Sequence, residues 1–263
     1  MFKNIAIILI TTCALTLNVN ASSDGELLLK EKNNPTEVKE CWEGFNRASF
    51  ALNQGLDKII FKPVASVYRV LPSPVKTGVS NSLNNLSNVV TIPNNLLQGD
   101  FSKAGVNSGR FLINTTVGIL GFIDVAKYIG LSEYEKEDYG QSLATYGVGP
   151  GCYLVLPVLG PSTARDSIAS TLNFLGGDAW YNVTVRNDTR YFSEIDYYSS
   201  KVTGGVDFRA KNYDGIENLE KNSIDFYASV KSLYLQDRQQ KILNSTAIIE
   251  TQDDSDWEEI DTN

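Results

Sequence analysis

Between Trp42 and Leu86 apolar residues return every three or four positions, and prolines cut the pattern into short pieces. Phe45, Ser49, Leu52, Leu56 and Ile59 share one helical face. The residue before a proline avoids the α region, so this first helix is expected to end before Lys62-Pro63. Pro63 then suits the first turn of a second helix carrying Val64, Val67, Tyr68 and Leu71. Pro72 and Pro74 interrupt again, and Val75, Val79, Leu83 and Leu86 outline a third helix. Gly99 is a natural stop, and a fourth helix follows through Ala104, Ser108, Phe111, Leu112 and Thr115. Each apolar stripe must be covered, either by a protein core or by the headgroup region of a bilayer. Strand alternation is scarce, so the expected fold class is all-α.

Residues 117–131, "VGILGFIDVAKYIGL", form the most apolar internal stretch. It is too short, and too charged at Asp124 and Lys127, to span a bilayer. Periodicity reads it as a buried helical hairpin, the alternative being a segment that dips into one leaflet. Further on, Ser162 or Thr163 is expected to cap a helix with Asp166 in its first turn. Tyrosines and turn formers crowd residues 180–215, Gly204-Gly205 among them, and "IDFYASVKSLYLQDRQQK" supplies a last amphipathic helix. The helical domain is expected over 40–243, between a mobile segment at 22–39 and an acidic, disordered tail at 244–263.

Chemistry is constrained chiefly by what is missing. The 263 residues include no histidine, which removes Ser-His-Asp and Cys-His nucleophiles and histidine-based zinc sites. Net charge is -8, and seven carboxylates in residues 250–263 carry all but one of it. A near-neutral body with an acidic end has no basic patch for nucleic acid. In "GQSLATYGVGPGCYLVLPVLGPST", Gly147 and Gly149 match a dinucleotide loop, but Cys152 replaces the third glycine and Pro150 removes an N–H donor. These glycines and prolines are expected to turn the chain between helices. Carboxylate pairs such as Glu137-Asp138 read as solvated surface rather than acid–base machinery. No catalytic residue, cofactor or metal site is expected.

The first 21 residues carry one Lys3, an apolar run from Ile5 to Leu17, and Val19-Asn20-Ala21. This is a secretory leader expected to be cleaved after Ala21. Lipidation at Cys13 is the weaker alternative, because Cys13 lies inside the apolar run and follows Thr12. Export leaves Cys41 and Cys152 in the mature chain, either as a disulfide or as two small buried side chains.

The blocks "EGFNRASFALNQGLDKIIFKPVASVYRVLPSPVKTGVSNSLNNLSNVVTIPNNLLQGD", "GRFLINTTVGILGFIDVA", "EDYGQSLATYGVGPGCYLVLPVLGPSTARD" and "YLQDRQ" resemble, in order, the MlaA (VacJ) family. The resemblance runs from about Glu43 to Gln239. It implies a single ring-like domain of amphipathic helices in the inner leaflet of the outer membrane. It also implies an amphipathic pore that takes mislocalised phospholipid from the outer leaflet to a periplasmic lipid-carrier protein, beside a trimeric porin. Carried over by block, Glu43, Phe45, Asn46 and Arg47 are candidates for pore control. Arg110, Phe111 and Asn114 are candidates for the lipid path, with Arg110 either binding phosphate or pairing with a carboxylate. Gly118, Ile119, Leu120, Gly121, Phe122 and Ile123 form the candidate leaflet-dipping segment. Many family members carry a clear lipobox, which this leader lacks. A soluble periplasmic helical binding or scaffold protein is the competing reading.

Overall fold

A computed structural model describes residues 38–132, 134–173, 178–185 and 193–250, all within one compact unit that begins at Val38. The leader, residues 22–37 and residues 251–263 lie outside the described residues. Helix α1 (Glu43–Leu56) continues through a π-helical turn (Asp57–Phe61) directly into α2 (Lys62–Arg69). The stop expected before Lys62-Pro63 does not occur. Proline lacks the N–H and presses on the carbonyl one turn back; the wider π turn accommodates both. In it the Lys62 N–H reaches the Asp57 carbonyl, and Pro63 falls in the first turn of α2, as its sequence position suggested.

Helix α3 (Ser73–Leu97) starts after an extended Pro72, tolerates Pro93, and is followed by Gly99 at φ +78°. Asp100 caps α4 (Phe101–Thr116) by accepting the Lys103 N–H at 2.8 Å, and α3 and α4 pack together. Short α5 (Val125–Tyr128) and α6 (Tyr139–Thr145) follow, capped by Asp124 and Asp138. The glycine- and proline-rich stretch then forms an antiparallel hairpin of β1 (Tyr153–Leu156) and β2 (Gly160–Thr163), with Tyr153 opposite Thr163. A plain turn between helices had been expected. The strand forms because Tyr153 and Val155, two apart and so on one face, are both fully buried.

Thr163 caps α7 (Ala164–Leu172). Helix α8 (Glu194–Lys211) opens on a Ser193/Asp196 capping box and runs straight through Gly204-Gly205, which composition had grouped with turn formers. Its buried face, Val206, Asp207, Arg209 and Ala210, holds those glycines helical. Helices α9 (Tyr213–Asn222) and α10 (Phe226–Glu250) complete the chain, α10 reaching into the segment read as a tail.

The apolar core is small and gathers at the hairpin: Tyr153, Val155, Tyr227 and Leu235, backed by Val38, Phe50 and Tyr234. Cys41 and Cys152 are joined there with Cα atoms 5.4 Å apart, which settles the pairing the sequence left open. Just beyond, Tyr153 donates its N–H to the Lys39 carbonyl, so the end of the segment read as mobile is tied down. A buried ionic lock ties α6, α7 and α10. Arg238 donates to both oxygens of Asp138 at 2.7 Å and both of Asp166 at 2.9 Å, while Tyr234 adds a hydroxyl to Asp166. Burial raises both carboxyls, yet the hydrogen bonds and charge of Arg238 bring them below the usual aspartate range.

Elsewhere the amphipathic pattern is inverted. The face α3 buries is Gly78, Ser80, Asn85, Asn88, Thr91, Asn94 and Asn95. Ile59, Val67, Val70, Phe101 and Leu112 stand in the open, Val70 at 84% exposure. The apolar stripes that periodicity assigns to a core are turned outward, so neither length nor hydropathy of the helices alone would reveal the arrangement.

Candidate functional site

Asn81, Asn84, Asn85 and Asn88 recur at helical spacing along α3 and form one wall of a cleft of about 160 Å³. Arg110 and Asn114, one turn apart on α4, form the opposite wall, with Asp124, Lys127 and Tyr134 closing it. Asp124 organises this wall. It accepts from Arg110 Nη2 at 2.7 Å and from Asn114 Nδ2 at 2.8 Å, while Arg110 Nη1 reaches the Ser132 carbonyl at 2.8 Å. Of the two roles open to Arg110, the structure forms the carboxylate pair. Asn114 Oδ1 accepts the Ala126 N–H at 2.9 Å, locking α5 to α4. Phe111 is half-buried beside them and lines no part of the cleft.

Among the described residues, Arg110 Nε, Asn85 Oδ1 and Asn88 Oδ1 of this lining are buried with no hydrogen-bond partner from the protein. An unsatisfied buried polar group costs about 1–3 kcal/mol, so these atoms favour a polar occupant. Tyr134, whose phenol burial pushes up to about 12, hydrogen-bonds Thr91 and stays neutral. Deeper in, Asn107 donates to Asn95 at 2.8 Å and Ser142 to Asn94 at 2.6 Å. Glu137 accepts from Gln98 and Gln141. Glu137 is thus an interior anion whose water is replaced by glutamine amides, and Asp138 a partly exposed carboxylate held by Arg238, rather than the solvated pair expected.

Residues 117–123 are an open turn instead of a buried hairpin. Ile119 and Leu120 adopt left-handed conformations (φ 53° and 55°), each 67% exposed, and Gly121 follows at φ +87°. A β-branched residue there is costly, roughly 1–2 kcal/mol, so the turn is imposed by its surroundings. The Leu120 N–H reaches Thr115 O, Gly121 N–H reaches Asn114 O at 2.7 Å, and Ile123 N–H reaches Gly118 O. A Cβ on Gly121 would overlap Asn85, and one on Gly78 would overlap the Phe122 ring. The turn is therefore pressed onto the cleft wall, with Phe122 packed against Gly78 and Ile119 and Leu120 exposed.

The Glu43–Arg47 block lies at the hairpin and lines neither this cleft nor a second one beside α8. Asn46 is fully buried; it donates to the carbonyls of Cys41 and Tyr153 and accepts the Val155 N–H at 2.9 Å. Glu43 and Arg47 pair on the surface, Arg47 also reaching Asp225, and Phe45 is exposed.

The sequence model of the MlaA lipoprotein family matches residues 38–241, which include every residue of the cleft. The chain belongs to the MlaA family. An "Intermembrane phospholipid transport system lipoprotein MlaA" of Shigella flexneri is 35% identical over 201 residues, covering 74% of each chain. The protein of the same description from Escherichia coli K12 is 34% identical with the same coverage. An uncharacterised protein of Rickettsia bellii is 35% identical over 78% of each chain. A solved structure described as "Structural basis for maintenance of bacterial outer membrane lipid asymmetry" superposes with a TM-score of 0.65 at 32% identity, covering 78% of this chain and 99% of the other. The mostly helical fold expected from the MlaA resemblance is therefore present. Reading the sequence for apolar periodicity passed over Asn81, Asn84, Asn85 and Asn88, although their own three- and four-residue spacing in "SNSLNNLSN" marks a polar helical face.

Proposed function

We propose that this protein removes mislocalised phospholipids from the outer leaflet of the outer membrane and passes them to a periplasmic lipid carrier. The observation that carries the reading is the inverted amphipathicity: an asparagine-lined interior with an outward apolar surface. A phosphate headgroup crossing hydrocarbon alone faces a large desolvation cost, which a polar passage removes while acyl chains stay in lipid. The named MlaA relatives supply the transport context.

In this reading the helices form a ring in the periplasmic leaflet. No helix of the described residues is long and apolar enough to cross a membrane, and attachment rests on the exposed apolar faces after cleavage at Ala21. Residues Gly118 to Ile123 enter the leaflet. Arg110 and Asn114, with Phe111 behind them, shape the headgroup path. Glu43, Phe45, Asn46 and Arg47 control the opening through the hairpin that Asn46 anchors. A trimeric porin and a periplasmic lipid carrier are the protein partners, and the transfer needs no catalytic step. Deleting the gene and measuring phospholipid exposed at the cell surface tests this. A rise restored by the wild-type chain is expected, and an unchanged outer leaflet refutes it.

A further inference from the structure

A second cleft, about 280 Å³, lies between α2, α3 and α8 and shares Asn81 with the first. Arg69, Lys76 and Lys211 face a single carboxylate there, Asp207, together with the hydroxyl-bearing Thr77 and Ser80. That carboxylate is already engaged on both oxygens, by the Tyr68 hydroxyl at 3.0 Å and by Lys211 at 2.8 Å. Arg69 is held over the Tyr213 ring and pairs through two hydrogen bonds, 3.0 and 2.7 Å, with Asp214, whose side chain is 74% exposed, so solvent screens that bridge. Lys76 donates to the Arg69 carbonyl at 2.9 Å and, among the described residues, pairs with no carboxylate. An ammonium has three donors, so Lys76 brings uncompensated charge and free hydrogen-bonding capacity to the cleft. Val67, Val70, Leu71 and Val75, all exposed, flank these cations in sequence. The cleft thus gathers cations within a lining that mixes polar and apolar atoms, and exposed apolar residues adjoin those cations along the chain.

We propose that this cleft is a second headgroup station, binding the phosphodiester of a phospholipid through Lys76, with Lys211 and Arg69 in support, and handing it across Asn81 to or from the asparagine-lined cleft. The inference rests on the transport reading and adds to it a site with a charge preference. The first cleft is rich in amides, with Arg110 paired to Asp124 and Lys127 at its edge. The second sets Arg69, Lys76 and Lys211 against Asp207, a denser cluster of cations suited to retaining anionic phosphate. The adjoining apolar residues cover the start of the acyl chains.

Titrating the full mature chain in detergent with dihexanoyl-phosphatidylglycerol, with dihexanoylglycerol and with inorganic phosphate tests it. Lys76→Gln should weaken phosphatidylglycerol binding about tenfold, the order expected for one charge-assisted hydrogen bond to phosphate. It should leave dihexanoylglycerol, which has no phosphate, unchanged. Lys76→Arg should restore most of the affinity, and equal melting temperatures of the three proteins control for folding. Phosphatidylglycerol bound equally by wild type and Lys76→Gln overturns the station while leaving transport standing. Wild-type protein that binds no phospholipid overturns both. Inorganic phosphate competing as well as the lipid overturns the lipid as the ligand of this cleft.

Discussion

Replacing Ile119 and Leu120 together by asparagine separates the membrane role proposed for the turn from its structural one. Both residues hold left-handed backbone conformations, which asparagine adopts more readily than β-branched or bulky side chains, so folding should be unaffected or slightly favoured. Both side chains are 67% exposed, leaving about two thirds of each to be buried in lipid. Full burial of such a side chain is worth about 1.5–3 kcal/mol, hence about 1–2 kcal/mol each and about 2–4 kcal/mol for the pair. At 1.4 kcal/mol per tenfold, partitioning onto phospholipid vesicles should fall by about 30- to 700-fold. Vesicle flotation across a range of lipid concentrations reads this ratio, and thermal melting reads the fold. A change below threefold with an unchanged melting temperature would show that residues 117–123 do not enter the bilayer.

The ionic lock makes an acid-sensitivity prediction. Asp138 and Asp166 have folded-state pKa values below their unfolded values, so their contribution is fully present above about pH 4 and is lost as pH falls through the folded values. Arg238→Met should destabilise by about 1–3 kcal/mol at pH 7, less than for a fully buried pair because Asp166 keeps Arg165 and Tyr234 and Asp138 is partly solvated, and should flatten the acid-side decline seen in denaturant titrations. A Cys41→Ser, Cys152→Ser double variant should lose about 2–5 kcal/mol, since the bridge closes a loop with a sequence separation of 111; reductant should lower wild-type melting without affecting the variant.

The helices themselves were legible because their determinants are local: apolar and small residues at helical spacing, Pro63 in a first turn and Thr163 as a cap. The exclusion of histidine-based catalysis is equally local, being a matter of residue type. The break before Pro63 was misread because a π turn relieves proline through a change in hydrogen-bond register that no residue type announces. A buried hairpin is expected at 117–131, but residues 117–123 form an exposed turn, because an apolar run does not state whether the protein packs over it. Asn46 was found through the block that contains it, yet its work of pinning the hairpin depends on Tyr153 and Val155, more than a hundred positions away. The sequence by itself determined where helices form and that each has two unlike faces. Only the tertiary structure decided which face points inward, because burial is set by what packs opposite: α3 meets the polar side of α4, so asparagines line the interior and the apolar stripes are left exposed.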